Sequence, residues 1–245
     1  AHNKNKVLKI SDSMKAYNER MDKEMLEGGK PVIKYYDGVS MNAIWAVPSL
    51  GIDPATGREI YRKKDGRSTF TYDVNDMVIC GDNLPKLNGS FSINLGYKGL
   101  GFNMTCIYEL GAKMFNQTLI DRVENVDMHY NVDRRVLEGR WQNPGDVVRF
   151  RSLKSYWDPE TQTYPRDVQT KATSRFVQKK NELNISSINI SYDFYRYAFV
   201  KQIGLERLSL AFYMNDVAKL STIKTERGLA YPFARNYNFS LQMTF

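Results

Sequence analysis

The final residues of the chain, ARNYNFSLQMTF, alternate without a break: Tyr237, Phe239, Leu241, Met243 and Phe245 fall on one face, and Asn236, Asn238, Ser240, Gln242 and Thr244 on the other. A period of two belongs to an extended strand whose faces meet different surroundings. When tilted, a strand of about ten residues is long enough to cross an outer membrane. The segment therefore predicts a strand of a membrane β-barrel. A strand of a soluble sandwich can alternate as cleanly, so the rest of the chain has to discriminate.

Four further segments repeat the pattern. Leu87, Phe91, Ile93, Leu95 and Tyr97 share a face opposite Lys86, Asn88, Ser90, Ser92 and Asn94, and residues 100 to 110 set Leu100, Phe102, Met104, Cys106, Tyr108 and Leu110 together. Only Lys98-Gly99 separates these two, which predicts a hairpin with a two-residue turn. Residues 183 to 194 begin on odd positions, Leu183 and Ile185, then switch to Ile188, Ile190, Tyr192 and Phe194; the slip predicts a β-bulge at Ser186-Ser187. Leu208, Leu210, Phe212 and Met214 alternate after a short turn around Gly204.

Short connections (Lys98-Gly99 and the Val200 to Glu206 region) take turns with long ones, as periplasmic turns and extracellular loops do in outer-membrane barrels. The chain is read as all-β: 1–16 as the end of a barrel strand, 17–85 as an extracellular loop region, and 86–245 as five barrel strands with two long extracellular loops, 111–182 and 216–233. Five full strands and a partial one are too few for a closed barrel, whose smallest members have eight, so the chain is expected to be part of a longer protein.

Composition fits this reading. A mean hydropathy of −0.51 is compatible with a barrel, which shows its apolar residues only at every second position. No apolar run approaches eighteen residues, so a helical span is not expected. The net charge of +8 invites a nucleic-acid reading, but the basic residues scatter through loops without a recognition motif. They are read as solvated loop charge, some of it facing lipopolysaccharide, with no nucleic-acid partner.

Catalytic material is scarce. His2 and His129 are the only histidines, too few for a multi-histidine metal site. Asp73, Asn75 and Asp76, or Glu124 and Asp127, could hold a cation, but neither set has the glycine and terminal acid of a calcium loop, and both are read as solvated loop acids. Cys106 is read as a small hydrophobe facing lipid and Cys80 as an isolated loop thiol. No enzyme activity, cofactor or metal is expected.

The loop aromatics Trp45, Tyr61, Tyr72, Trp141, Tyr156 and Trp157 could stack on a ligand or simply pack the loops. Trp45, Tyr61, Arg140, Trp141 and Trp157 are the candidate contacts for a ligand or partner lipoprotein. Arg140 and Trp141 open the segment RWQNPGD, whose Pro144-Gly145 turn would present them rigidly. Phe245 is the candidate assembly signal, an aromatic holding the last strand at the periplasmic interface.

Several segments, in order, carry a family resemblance: NKNKVLKIS near the start, SLGIDPATGREIYRKKDG at 49–66, NLPKLNGSFSINLGYKGLGFNMT at 83–105, RWQNPGD at 140–146, TSRFVQKKNELNISSINISYDF at 173–194, and the closing FARNYNFSLQMTF. The chain resembles the C-terminal part of SusC/RagA-family TonB-dependent outer-membrane transporters. That resemblance implies a 22-stranded barrel containing a plug, a SusD-like surface lipoprotein as lid, and import of oligosaccharides or oligopeptides driven by TonB acting through the plug. It further implies insertion by the outer-membrane assembly machinery. Neither plug nor TonB box is recognisable here. The competing reading is a soluble carbohydrate-binding β-sandwich.

Overall fold

A computed structural model describes residues 2–3, 5–28, 31, 33–126, 132–153, 170–224 and 235–245. A helix, α1 (Asp12–Gly28), precedes ten strands: β1 (Ala43–Ala46), β2 (Ser49–Ile52), β3 (Glu59–Arg62), β4 (Ser68–Thr69), β5 (Val78–Asp82), β6 (Leu87–Tyr97), β7 (Leu100–Phe115), β8 (Val177–Asp193), β9 (Arg207–Ser221) and β10 (Tyr237–Thr244). The chain divides into two units. One comprises Ala1–Asn3, Pro85–Gly111 and Lys180–Phe245, the other Lys4–Leu84 and Ala112–Lys179.

The first unit is built on one sheet in the order β10-β9-β8-β7-β6. Its register carries the alternation across the strands. On one face Phe91 stands opposite Cys106, Ile93 opposite Met104 and Leu95 opposite Phe102. Ile188 meets Met214 and Ile190 meets Phe212, while Phe239 meets Phe212 and Leu241 meets Leu210. On the other face Ser92 pairs with Thr105, Asn94 with Asn103 and Gln242 with Ser209. Each apolar cross-strand pair contributes about 0.2–1 kcal/mol. The apolar face nonetheless stays open: Leu95 is 64%, Phe239 74% and Leu241 58% exposed. A surface like that is stable only against another apolar phase.

Lys98 (φ 48) and Gly99 (φ 95) both take the left-handed conformation, so the β6–β7 hairpin turns as expected from its two-residue connection. A Cβ on Gly99 would fall 2.5 Å from the Asp193 carbonyl oxygen, so only glycine fits there. The β8–β9 register shift lies between Ile185 and Ser187, where β8 slips, but the extra residue is on β9. Asp216 and Val217 together stand against Ser186, and Asp216 takes φ 49, a conformation its short polar side chain tolerates.

Three boundaries differ from the sequence reading. β7 runs on to Phe115, β8 starts at Val177, and β9 reaches Ser221, so the supposed loop 111–182 begins and ends inside strands and 216–233 begins inside one. Those extensions are tied by charge: Lys180 Nζ lies 2.8 Å from Glu109 and Lys219 Nζ 2.6 Å from Glu182. Alternation is lost where polar side chains occupy both faces. The strand end expected over 1–16 reduces to a bridge between His2 and Leu87 and a bond from Asn3 N to the Lys86 carbonyl. From Asp12 the chain is helical instead. The Ser11 carbonyl accepts from Met14 N (3.1 Å) and Lys15 N (3.2 Å), starting the helix. Asn18 and Met21 are buried, with Asn18 both donating to and accepting from the Tyr35 backbone.

The second unit is a folded body where 17–85 reads as a loop. β1 pairs with β5, and β2-β3-β4 form a small sheet. Val47, Val74, Met77 and Ala172 form one apolar cluster; Leu119, Ile120, Val123, Phe150 and Phe176 form another, and Phe115 packs against both. Cys80 belongs to β5 and not to a loop, and burial pushes its thiol up. Cys106, opposite Phe91 on the apolar face, is only 2% exposed and is covered by its neighbours.

Candidate functional site

The strongest polar construction in the second unit centres on Arg175, whose place is set by local geometry. Thr173 precedes a 3₁₀ turn, Ser174–Phe176, and this stretch is held to β1 and β2 by Ser174 N donating to the Val47 carbonyl and Ser49 N to Ser174 Oγ (both 2.9 Å). Opposite it, a π-helical turn, Ile120–Glu124, carries Glu124 into the interior. The Arg175 guanidinium spans two carboxylates, at 2.8 Å from Glu59 and 2.5 Å from Glu124. Arg151 also donates to Glu124 (3.1 Å), as does the Thr170 hydroxyl (3.1 Å), while the Thr173 hydroxyl donates to Glu59 (2.7 Å). Burial alone would lower the Arg175 pKa, but the two carboxylates more than reverse this and raise it. Nearby, burial first and then Glu59 and Asp73 push the Tyr72 hydroxyl up.

This cluster offers no chemistry to a substrate. Both carboxylates are occupied by arginines and hydroxyls, leaving neither a base nor a nucleophile. Among the described residues no group of His, Cys, Asp and Glu is arranged to hold a metal. Glu124 is thus a buried partner of Arg175 and Arg151, not the solvated acid read from sequence. Asp73 accepts from Asn75 N (2.8 Å) and Asp76 from Lys64 N (3.0 Å), so both cap turns.

The sequence-derived contact residues separate sharply. Arg140 is buried: Nε donates to the Val136 carbonyl (2.7 Å), one terminal nitrogen to Arg151 O (2.8 Å) and the other to Val123 O. Its charge faces interior carbonyls, which corrects the expectation that it reaches a ligand. Trp45 packs against Tyr36 (4.9 Å between centroids) and donates to the Lys34 carbonyl; Tyr61 meets Tyr72 edge-on at 5.6 Å. Both pack against the Val47 cluster. Trp157, with Tyr156, His129 and Asp127, lies outside the described residues.

Trp141 is placed differently. Its Nε1 donates to the Pro54 carbonyl (2.8 Å), and Gly145 N donates to the same oxygen (2.8 Å), so RWQNPGD is fastened to the β2–β3 connection. Asp146 closes the segment by accepting from Gln142 N (3.0 Å) and Asn143 N (2.9 Å), bonds that hold its carboxyl below the usual range. A Cβ on Gly57 (φ 72) would fall 2.6 Å from the Trp141 ring, so the indole lies directly on that turn. Phe245 follows β10 and is 84% exposed. No local signal in the sequence marks Glu59, Glu124 or Arg175; they are joined only through the fold.

No family model matches the chain. In sequence it is similar to TonB-dependent receptor P39 of Formosa agariphila, with 26% identity over 157 residues, covering 63% of this chain and 14% of that protein. In fold it is similar to the RagAB peptide importer in the open-open state (TM-score 0.63, 15% identity, 86% of this chain and 23% of that one). The closed-closed state of RagAB gives TM-score 0.64 and 16% identity, over 90% of this chain and 24% of that one. The chain therefore spans a minor part of the length of each protein it matches.

Proposed function

We propose that this chain, which belongs with the SusC/RagA-like TonB-dependent transporters of the outer membrane, supplies barrel wall and a folded surface region to an importer of oligopeptides or oligosaccharides. One observation carries the reading: apolar residues face apolar residues in the β6–β7, β8–β9 and β9–β10 pairs of one five-stranded sheet while that face stays uncovered. Lipid is the phase that suits it, and interstrand pairing satisfies the backbone groups between neighbouring strands. The polar face, with Asn94, Asn103, Asn189 and Ser191, then turns to the lumen and to a plug supplied elsewhere in the protein. Strands joined to further strands close the barrel, which the assembly machinery inserts.

Residues 17–85, 116–176 and 222–236 occupy the extracellular side, beside lipopolysaccharide, under a SusD-like lipoprotein lid. The alternating lengths of the connections support that sidedness. Trp141, held against the Gly57 turn, is the residue retained as a contact for lid or ligand. TonB acts through the plug and does not touch this chain.

Protease applied to intact cells carrying the whole transporter tests the topology. Cleavage is expected within the three surface segments, with Lys98-Gly99 and residues 194–206 spared. Cleavage of the surface segments only after the outer membrane is opened would reverse the assignment. Uptake of labelled oligopeptides against oligosaccharides, compared with a deletion strain, decides the cargo; uptake of neither would overturn the import function.

A further inference from the structure

The β8–β9 connection, which reads in sequence as a short turn, is a small folded element. Its helix, Ala198–Gln202, rests on buried Val200 and Leu205, and Leu205 N donates to the Val200 carbonyl (3.1 Å). Aromatic rings gather on this frame. Tyr192 meets Phe194 edge-on at 4.8 Å, Phe194 lies 6.1 Å from both Tyr197 and Phe199, and the Tyr192 and Tyr197 hydroxyls share a 3.0 Å hydrogen bond. Tyr192 stands opposite Leu210, and Leu210 opposite Leu241, so the rings extend the apolar face of the sheet. Tyr197, Phe199 and Ile203 remain exposed at its end.

Cations border this aromatic patch. Lys98 lies over the Tyr97 ring (5.1 Å) and Arg196 over Tyr195 (5.8 Å), and Lys201 is exposed on the helix. The Lys98-Gly99 turn adjoins the connection, since Asp193 N donates to the Gly99 carbonyl (2.8 Å). Two acids lie at this end. Asp193 is engaged by Arg207 (2.7 Å) and by Tyr195 N (3.1 Å), and Glu206 is exposed. Among the described residues no carboxylate forms an ion pair with Lys98, Arg196 or Lys201.

An apolar surface ending in amphipathic rings and then in unpaired cations matches the depth profile of a phospholipid leaflet, from acyl chain to glycerol to phosphate. We propose that this end of the sheet binds anionic phospholipid, the rings lying at the ester level and Lys98, Arg196 and Lys201 holding headgroup phosphates. The inference rests on the reading of the sheet as outer-membrane wall with its short connections in the periplasmic leaflet. The folded support beneath the rings keeps the site in place without lipid.

The test is native mass spectrometry of the whole transporter released from micelles containing equal amounts of phosphatidylglycerol and phosphatidylcholine. Wild type is expected to retain phosphatidylglycerol preferentially. The pair Arg196→Gln with Lys201→Gln should reduce that preference by about fivefold for each charge, leaving phosphatidylcholine unchanged. Phe199→Ser with Ile203→Ser should lower retention of both lipids. Heat-modifiable migration on gels checks that each variant is folded; if one is not, raising salt should still weaken the wild-type preference. Equal retention of the two lipids by wild type, or a preference indifferent to both charge removal and salt, overturns the proposal and leaves the surface to solvent or a protein. Failure to retain either lipid would instead count against the membrane-wall reading itself.

Discussion

Replacing Arg175 with methionine removes the cation that two buried carboxylates share. The side chains of Glu59, Glu124 and Arg175 are 3%, 0% and 7% exposed, so water cannot take the place of the guanidinium. Breaking a buried pair from one side costs about 3–5 kcal/mol. Glu124 keeps Arg151 and Thr170, whereas Glu59 keeps the neutral Thr173 hydroxyl, which makes Glu59 the larger source of the loss. About 3 kcal/mol raises the population of the opened form by roughly a hundredfold. Hydrogen exchange on the whole transporter should show that loss of protection in β3 and in residues 117–125 and 170–176, with β10 unaffected. The pH dependence has a definite sign. A raised Arg175 pKa leaves the wild-type contribution fully present below the unfolded value, to be lost only as pH rises from there through the folded one, so protection is level across neutral pH. Adding Glu59→Gln should restore much of the protection. Unchanged exchange in Arg175→Met would refute the reasoning.

Three other perturbations separate the surfaces of the molecule. Leu241→Arg, on the apolar face opposite Leu210, should cost about 2–4 kcal/mol in bilayer unfolding experiments and Ser240→Arg much less; equal costs would disprove the assignment of faces. Gly57→Ala should destabilise the RWQNPGD segment by about 1–2 kcal/mol from the backbone alone, with added displacement of the Trp141 ring, and Trp141 fluorescence should shift accordingly. Trp141→Ala should weaken assembly with the lipoprotein or ligand uptake while the protein remains folded; unchanged assembly and uptake would remove its contact role.

The wall was legible because its information is local. Leu87 to Tyr97 and Tyr237 to Met243 announce two faces through a period of two, and Lys98-Gly99 announces its turn through the demand for positive φ at two successive residues. The helix α1 was legible in principle: Ser11 offers a cap, and Tyr17 and Met21 are spaced four apart, although residues 1–16 read as the end of a strand. The strand end Val177 to Lys180 carries no alternation, and Lys180 is held there by its ion pair with Glu109. The folded second unit belongs to tertiary structure alone. Arg140 and Trp141 are neighbours in sequence, yet one faces buried carbonyls and the other lies on the Gly57 turn. Glu59, Glu124 and Arg175 are separated by 65 and 51 positions and become one cluster only when the chain brings them together. Periodicity by itself determined that this chain builds a two-faced sheet, since facing is a property of each strand; which charges are buried and which aromatics are free was decided by packing, since desolvation depends on neighbours that no local pattern names.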